Sequence, residues 1–318
     1  MSTKAKVGLA RGNERRQNVR RALELVREQV EPKIAEQVLL KPNFLSSENQ
    51  LASTHPDGIR GAIDFVLAAK SPPKEILVAE GGNEKYSGEA FDNFGYHQLD
   101  GEYPVPVRLI DLNQEQDWAE TTIFSADGTP VPVRMPRVVL DCPCTISVAV
   151  AKTHDVCVVT LALKNMIMGT LHKEDRIQMH GYPSHPDRIL PREAQVLNIN
   201  LMRVARYLTP DIGVIDGTVG LQGNGPGGTD VVELGAAAAA ADVFAADAVM
   251  GAAMGFDPAG LGLCRYAEEL GVGVADLAKI EVLGSTIEEI RTPFTPHETT
   301  ELQLQWAEER AGELLAAS

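Results

Sequence analysis

The fold of this chain is decided by the stretch SVAVAKTH, residues 147–154, in which small apolar residues run directly into three polar ones. A short apolar run of this kind is typical of a strand buried in a parallel sheet. Other short apolar runs alternate with helical patterns through the first half of the chain, and this alternation indicates parallel strands joined by crossover helices. The sequence therefore predicts an α/β protein with mostly parallel sheets and flanking helices.

Further elements are predicted on both sides of this stretch. Strands are predicted at 7–9, 38–40, 76–79, 107–112, 212–215 and 280–283, and helices at 19–29, 58–69, 160–171, 193–207, 243–254 and 301–317. Residues 121–139 show a strand, turn, strand pattern instead, which predicts a β-hairpin inserted into the α/β frame. From the chain length we expect two lobes, an N-terminal one over 1–145 with the hairpin and a C-terminal one over 146–318, with a ligand cleft between them.

Composition and charge restrict the class of partner. The formal net charge is −15, from 29 Lys and Arg against 44 Asp and Glu. Because nucleic-acid affinity comes from clustered basic residues, we expect no nucleic-acid partner, and an anionic ligand must be held by local lysines. No stretch approaches the roughly 18 to 20 apolar residues of a membrane span, and the N terminus lacks a secretory pattern. With four cysteines in no framework spacing, these features predict a cytoplasmic protein with no membrane partner.

Polar side chains follow two predicted strands where each strand ends. Lys41 and Asn43 come directly after one strand, and Lys152 and His154 come directly after the other. Open parallel sheets bind ligands beyond the carboxyl ends of their strands. A partly buried lysine either meets an anion or loses its proton, so Lys152 is a candidate anion clamp or proton-transfer group. A solvated strand end is the alternative, and for Lys41 with Asn43 alone a surface turn is the commoner outcome.

Thr54 and His55 precede the helix predicted at 58–69, and either Thr54 or Asp57 would serve as its N-cap. The first turn of a helix offers N–H groups to a carboxylate or phosphate. His55 would then donate to that ligand, act as a general base or bind a metal as neutral imidazole. A helix cap with an incidental histidine is an equally good interpretation.

Lys164 and Asn165 interrupt the otherwise apolar run 156–168. A charge in such a run costs free energy unless it is paired or faces a ligand cleft. This interruption therefore favours a functional interpretation of the neighbouring polar segments.

Asp216 ends a predicted strand, and the glycine-rich loop 220–228 follows it. Glycines in this loop allow the backbone to approach a ligand closely. The loop lacks the Lys-Ser/Thr of a P-loop, so nucleotide binding is weakly supported and a flexible turn is an equal alternative. Asp242 is predicted to cap the next helix, and Asp247 is expected to face elsewhere.

The segment 172–191 is rich in His, Pro, Asp and Arg and has no periodicity, which predicts an ordered loop or lid. The spacing of His172, His180 and His185 matches no compact metal-ligand pattern, so a solvated loop is favoured. The Cys-Pro-Cys segment 142–144 is no iron–sulfur motif, and we expect no intrinsic iron–sulfur cluster.

Taken in order, these segments resemble the uncharacterised family called DUF362. The matching segments are KPN at 41–43, THP at 54–56, KTH at 152–154, Thr160 with LKN at 163–165, DG at 216–217, GNGP at 223–226 and the pair Asp242 and Asp247. Many members of that family carry a ferredoxin-like iron–sulfur module, so the resemblance implies that any redox partner of this chain is a separate protein. A looser similarity of layout to the nickel-pincer lactate racemases, which use lysines and histidines between two α/β lobes, is an analogy of fold.

Three hypotheses of function follow. The first is an enzyme that acts on a small anionic substrate, a carboxylate or phosphate, with Lys41 and Lys152 binding charge and His55 and His154 exchanging protons. Its substrate-binding residues would be Asn43, Thr54, Lys164, Asn165, Gly223, Asn224 and Gly225.

The second hypothesis is a metal-dependent or redox enzyme in which His154, Asp216 and Asp247 bind a divalent metal. The third is a non-catalytic accessory protein that binds a cofactor or a redox partner. The sequence leaves the cofactor unknown, and it leaves a homo-oligomer open.

Overall fold

The computed structural model of the protein describes residues 4–83 and 88–316. The strands are β1 (Ala5–Arg11), β2 (Gln37–Lys41), β3 (Glu75–Glu80), β4 (Val107–Asp111), β5 (Trp118–Phe124), β6 (Pro130–Pro136), β7 (Thr145–Thr153), β8 (Val159–Thr160), β9 (Ile212–Leu221), β10 (Val231–Val232), β11 (Ala236–Ala240) and β12 (Ile280–Gly284).

The helices lie between these strands and after the last one. They are α1 (Arg15–Leu25), α2 (Arg27–Val30), α3 (Pro56–Leu67), α4 (Gly88–Asn93), α5 (Arg137–Leu140), α6 (Ala162–Met168), α7 (Arg192–Leu208), α8 (Val243–Ala253), α9 (Gly262–Leu270), α10 (Ile287–Ile290), α11 (Thr300–Gln303) and α12 (Ala311–Ala316). Short 3-10 segments connect several of them, including one at Lys173–His180. Within 4–83 and 88–316, no helix is long and apolar enough to cross a membrane.

Ten of these strands form one sheet in the described ranges. The order along it is β12-β1-β11-β9-β7-β2-β3-β4, while β10 pairs with β9 and β8 pairs with β7. Along this path, neighbouring strands are parallel except where β11 meets β1 and β9. The prediction of an α/β fold with a mostly parallel sheet and flanking helices is confirmed. The division of the chain into two lobes at residue 145 stays a prediction. Strand β7 begins at that residue and pairs with β2 from the N-terminal half.

The predicted hairpin is present as β5 and β6, which pair antiparallel from Trp118 opposite Pro136 to Phe124 opposite Pro130. Its turn contains Gly128 with a φ of +89°, a conformation that glycine adopts without strain. The predicted range 121–139 was too late at both ends, because residues Arg137–Leu140 form α5.

The structure adds one strand that was not predicted and divides one predicted helix. Residues Ala236–Ala240, directly before α8, form β11 in the middle of the sheet. Alanine has low strand propensity, but this strand is buried between helices α1 and α8, where small side chains let both helices approach. The helix predicted at 301–317 is divided into α11 and α12, because Trp306 turns inward and donates its indole N–H to the Gly260 carbonyl at 2.7 Å. The last residue of that range lies outside the described residues.

The sheet separates two hydrophobic cores, and strand alternation decides which side chains reach each one. Leu39 belongs to the core beneath α6, α7 and α8, whereas Val38 and Leu40 belong to the core beneath α1 and α3. Lys41 follows Leu39 by two residues and contacts Asn165 of α6. The α6 face of the sheet therefore receives the lysine at the end of β2.

Candidate functional site

A cavity of about 460 Å³ lies at the carboxyl ends of β2, β3 and β7. Its wall includes Asn43 after β2, Glu80 at the end of β3 and Lys152 near the end of β7. Lys164 and Asn165 of α6 add to this wall from the face of the sheet, and the segment 172–191 adds His180, Arg176 and Arg188. An open parallel sheet binds its ligands in this position, and the cavity has the size of a small-molecule site.

Lys41 is fully buried and forms an ion pair with Glu80 beneath the cavity. Its ammonium also donates to the Pro42 carbonyl at 2.7 Å and to Asn165 Oδ1 at 2.9 Å. Burial lowers the pKa of Lys41 to about 8, although the neighbouring Glu80 opposes that change. With three oxygen partners already in place, Lys41 positions the site and does not clamp a ligand.

Two asparagines connect Lys41 to Lys152. Asn165 Oδ1 accepts from Lys41 Nζ and, at 3.0 Å, from Asn43 Nδ2. Asn165 Nδ2 donates to the Lys41 carbonyl at 3.1 Å and to Ser147 Oγ at 2.9 Å. Asn43 Oδ1 then accepts from Lys152 Nζ at 2.6 Å. In each asparagine both the amide oxygen and the amide nitrogen make hydrogen bonds, so the orientations of both side chains are fixed.

Lys152 donates only to neutral oxygens among the described residues. Its second acceptor is the Ala52 carbonyl at 2.7 Å, and neither acceptor is a carboxylate. Burial, with the nearby charges of Lys164 and Lys41, lowers the pKa of Lys152 well below its ordinary value. Both effects favour the neutral amine, which is the form that can accept a proton.

Lys164 forms no ion pair in the part of the chain that the structure describes. Its residue surface is only 6% exposed, it lines the cavity, and it makes no hydrogen bond or ion pair with a described residue. The helix that carries it is anchored by Asp247, which accepts from the backbone N–H groups of Ala162 and Leu163 at 2.8 and 3.2 Å. A rigid helix thus presents a cation to the cavity.

His154 is a neutral imidazole at the cavity wall. Its Nδ1 lies 3.0 Å from the backbone nitrogen of Val156 and 3.0 Å from Asp155 Oδ1. Burial lowers the pKa of His154 from the ordinary 6.5 to about 3. Nε2 has no hydrogen-bond partner among the described residues and is available to a ligand.

A chain of charged side chains joins the segment 172–191 to the strand end that carries His154. Arg188 forms an ion pair with Glu193 and donates to Asp155 Oδ2 at 3.0 Å. Glu193 Oε1 also lies 2.6 Å from His180 Nδ1, and His180 lines the cavity. The prediction of an ordered segment holds, but the favoured solvated interpretation is wrong for His180, which is only 8% exposed.

Several residues of this wall were missed by sequence reasoning. Glu80 follows an apolar strand just as Lys41 does, so the strand-end signal was available for it. Arg176, His180 and Arg188 lie in a segment without periodicity, which gives no indication of the direction of a side chain. Arg176 is buried, donates to the Gly82 carbonyl at 3.0 Å and keeps a pKa lowered to about 10 by burial.

Other candidates lie outside the cavity. His55 is the N-cap of α3, where its Nδ1 accepts from the Asp57 N–H at 3.1 Å, so the predicted caps Thr54 and Asp57 are corrected. The Thr54 hydroxyl instead accepts from the Asn43 N–H and donates to the Val148 carbonyl, each at 2.8 Å. Thr54 therefore positions the loop that carries Asn43 and does not contact a ligand.

The three residues of the metal hypothesis are engaged in separate places. Asp216 is buried in an ion pair with Arg15 on the α1 face of the sheet, and Asp247 caps α6. His154 is in the cavity wall. Among residues 4–83 and 88–316, no group of three or more His, Cys, Asp and Glu side chains is arranged to hold a metal. Asp242 caps α8 as predicted.

The glycine-rich loop reaches the cavity only through Pro226. The Thr153 hydroxyl donates to the Gly223 carbonyl at 2.9 Å, and a Cβ on Gly225 would overlap the Thr153 carbonyl. The glycines thus allow the loop to pack against β7. The close approach that they permit is between two parts of the protein backbone. Asn224 bonds to Glu298 at the surface.

The structure at this point defines an α/β protein with a lysine-rich cavity at the carboxyl ends of its parallel strands. A family model described as a domain of unknown function, DUF362, matches residues 38–252, more than half of the chain, and the chain belongs to that family. The resemblance inferred from the motifs is confirmed.

Two similar proteins add to this finding. The thylakoid-associated protein sll1697 of Synechocystis sp. is 26% identical over 251 residues, which are 76% of this chain and 70% of that protein. The lactate racemase apoprotein of Thermoanaerobacterium thermosaccharolyticum has a TM-score of 0.46 and 10% identity, over 68% of this chain and 50% of that one.

Proposed function

We propose that this protein is an enzyme that binds a small anionic substrate, a carboxylate or a phosphate, in the cavity and transfers a proton on it. Lys164 binds the anion, and Lys152 and His154 exchange the proton. Lys41, Asn43 and Asn165 hold these groups in position. His55, which lies outside the cavity, has no role in this proposal.

The observation that carries the proposal is the environment of Lys164. Removing an ammonium from water costs several kcal/mol even after relaxation, unless a counter-charge or hydrogen bonds compensate. Lys164 is nearly buried and has no such partner among the described residues, while it lines a cavity that a small molecule would fill. A bound anion would supply the missing charge.

Anion binding would also prepare the two bases. Burial and the neighbouring charge of Lys164 lower the pKa of both Lys152 and His154. A negative charge bound beside them raises both pKa values and makes each group a better proton acceptor. Proton abstraction next to a carbonyl, or an isomerisation, needs only such groups.

Binding calorimetry with small carboxylates and inorganic phosphate tests the first half of the proposal. We expect Lys164→Met to lose at least tenfold in affinity for the tightest of these anions, since it keeps the stem and removes the charge. Lys74→Met is the matched control, because the Lys74 side chain is 75% exposed and pairs with Glu36 at the surface. Equal affinities in wild type and Lys164→Met would contradict the proposal.

Exchange of carbon-bound hydrogen in D₂O, followed by NMR on the carboxylates that bind, tests the second half. We expect exchange with wild type and a loss of at least a hundredfold in Lys152→Met, with anion binding retained. A non-catalytic accessory protein would bind the same anions without exchange. That outcome would support the anion-binding site and contradict the proposed enzymatic activity.

A further inference from the structure

We infer that Lys152 is a nucleophile that captures the carbonyl group of a small oxo acid as an imine, with the acid group on Lys164. The inference rests on the proposed function, because it places the substrate in the same cavity and uses the same cation. It goes further by naming the substrate class and a covalent intermediate.

The first support is the number of acceptors around Lys152 Nζ. The described residues offer two, Asn43 Oδ1 at 2.6 Å and the Ala52 carbonyl at 2.7 Å. A neutral amine has two N–H groups and one lone pair, so these acceptors use both hydrogens and leave the lone pair. An ammonium would have a third N–H without an acceptor among the described residues.

The identity of the Asn43 atom facing Lys152 follows from the hydrogen-bond network. Asn165 Nδ2 donates to the Lys41 carbonyl, which accepts only, so Asn165 Oδ1 is the atom that faces Asn43. Asn43 must therefore donate to it with Nδ2, and its Oδ1 is left for Lys152. The position of this acceptor does not depend on an arbitrary choice of amide orientation.

The second support is the contrast among Lys41, Lys152 and Lys164. Lys41 has a carboxylate and two further oxygen partners, which suit an ammonium, and it is not in the cavity wall. Lys164 has no partner among the described residues and suits a cation that waits for an anion. Lys152 alone combines two neutral acceptors with a place in the cavity wall. This environment is the one that an amine nucleophile requires.

The reaction balances with one amine, one carbonyl and one proton. The Lys152 lone pair forms a bond to the carbonyl carbon, the C=O π electrons move to oxygen, and a proton passes from nitrogen to that oxygen. A second proton then converts the hydroxyl group to water, which leaves as the C=N bond forms. His154 lines the same cavity and is available to exchange these protons. The products are a protonated imine and one water.

Reductive trapping of the full chain with glyoxylate and cyanoborohydride tests the inference. We expect one carboxymethyl group per chain, located by peptide mass mapping at Lys152, before exposed lysines such as Lys74 react. The rate at an exposed lysine falls roughly tenfold per pH unit below its pKa, because only the neutral amine reacts. The rate at Lys152 should fall less steeply between pH 9 and pH 7 than the rate at an exposed lysine, because burial lowers its pKa.

A second variant keeps the test meaningful if Lys152→Met does not fold. Asn43→Asp retains Lys152 and places a carboxylate next to its Nζ, which favours the ammonium. We expect trapping at pH 7 to fall at least tenfold in this variant and to recover as the pH is raised. Label confined to surface lysines in wild type, or unchanged trapping in Asn43→Asp, would overturn the inference.

Acetaldehyde separates failure of this inference from failure of the proposed function. It carries the carbonyl without the acid, so we expect Lys164→Met to slow trapping by glyoxylate at least tenfold more than it slows trapping by acetaldehyde, which senses only the effect of the Lys164 charge on the pKa of Lys152. If Lys164→Met loses anion binding but wild type carries no label at Lys152, the proposed function is supported and the inferred imine is contradicted. Equal glyoxylate trapping in wild type and Lys164→Met would instead contradict the proposal that Lys164 binds the anion.

Discussion

At the scale of single residues, charge state depends on a few neighbouring atoms. Lys41 and Lys152 are joined through the same two asparagines, yet one contacts a carboxylate and the other contacts two neutral oxygens. Burial and the charge of Lys164 lower the pKa of His154, and the neighbouring Asp155 opposes that change. The cavity therefore presents a cation beside uncharged bases, which is the combination that proton transfer on an anion needs.

The pH dependence of folding reports the state of His154. In the unfolded chain this imidazole binds a proton near pH 6.5, whereas in the folded protein it does so near pH 3. Between these values the unfolded state holds more protons, so acidification from pH 6.5 destabilises the fold, by at most about 1.4 kcal/mol per pH unit. We expect chemical unfolding to show a shallower loss of stability between pH 6.5 and 4 in His154→Gln.

His97→Gln is the control for that experiment, because the His97 side chain is 63% exposed. Its pH profile should follow that of wild type. An unchanged profile in His154→Gln would mean that the imidazole already carries a proton in the folded protein.

The strand-end signal in the sequence was sufficient to find much of the site at this scale. Lys152, Asn43 and Lys164 were selected because charge or amide groups follow or interrupt apolar runs, and the structure brings them to one cavity. Asp216 gave the same signal and His55 was chosen because it precedes a helix, but neither lies in the cavity wall. Strand alternation and helix direction decide the face, and a motif of three residues does not contain that information.

At the scale of elements, the close approach of α6 to the sheet depends on Gly169, directly after that helix. A Cβ at this position would overlap Lys41 Nζ and lie 2.7 Å from Glu80 Oε1. The ion pair beneath the cavity therefore requires a residue without a side chain there.

Gly169→Ala should destabilise the protein, because the buried ion pair must move or lose its geometry. We expect a loss of about 1–3 kcal/mol in the free energy of unfolding, measured by urea titration, together with weaker anion binding. Gly312→Ala is the matched control, since nothing lies within 4 Å of the added Cβ and alanine favours the helix α12. A Gly169→Ala protein as stable as the control would contradict the packing described for Lys41 and Glu80.

The elements that the sequence failed to predict have a common cause. Strand β11 is a run of alanines that propensity would assign to a helix, and its place between β1 and β9 is set by contacts from distant parts of the chain. The segment 172–191 folds over the cavity through Arg188, whose partners Asp155 and Glu193 lie on other elements. Both depend on tertiary contacts that local patterns do not contain.

At the scale of the whole molecule, the site is a local exception to the charge of the chain. The formal net charge is −15, yet the cavity wall contains five Lys and Arg side chains, Lys152, Lys164, Lys173, Arg176 and Arg188, against the two carboxylates Glu80 and Asp155. The overall class was predictable because alternating strands and helices extend over the chain. That both halves of the chain share one sheet was not predictable, because no local pattern specifies that β1 pairs with β11 and β12.

The central claim is that Lys164 is a buried cation whose role is to bind an anion. The thermal unfolding temperature of Lys164→Met without ligand tests this claim most directly. If Lys164 serves the ligand, the variant loses an uncompensated buried charge and should unfold at a higher temperature than wild type, in line with a gain of about 1 kcal/mol or more. Lys74→Met should change little. A lower unfolding temperature in Lys164→Met would show that the charge stabilises the fold, and would contradict the account.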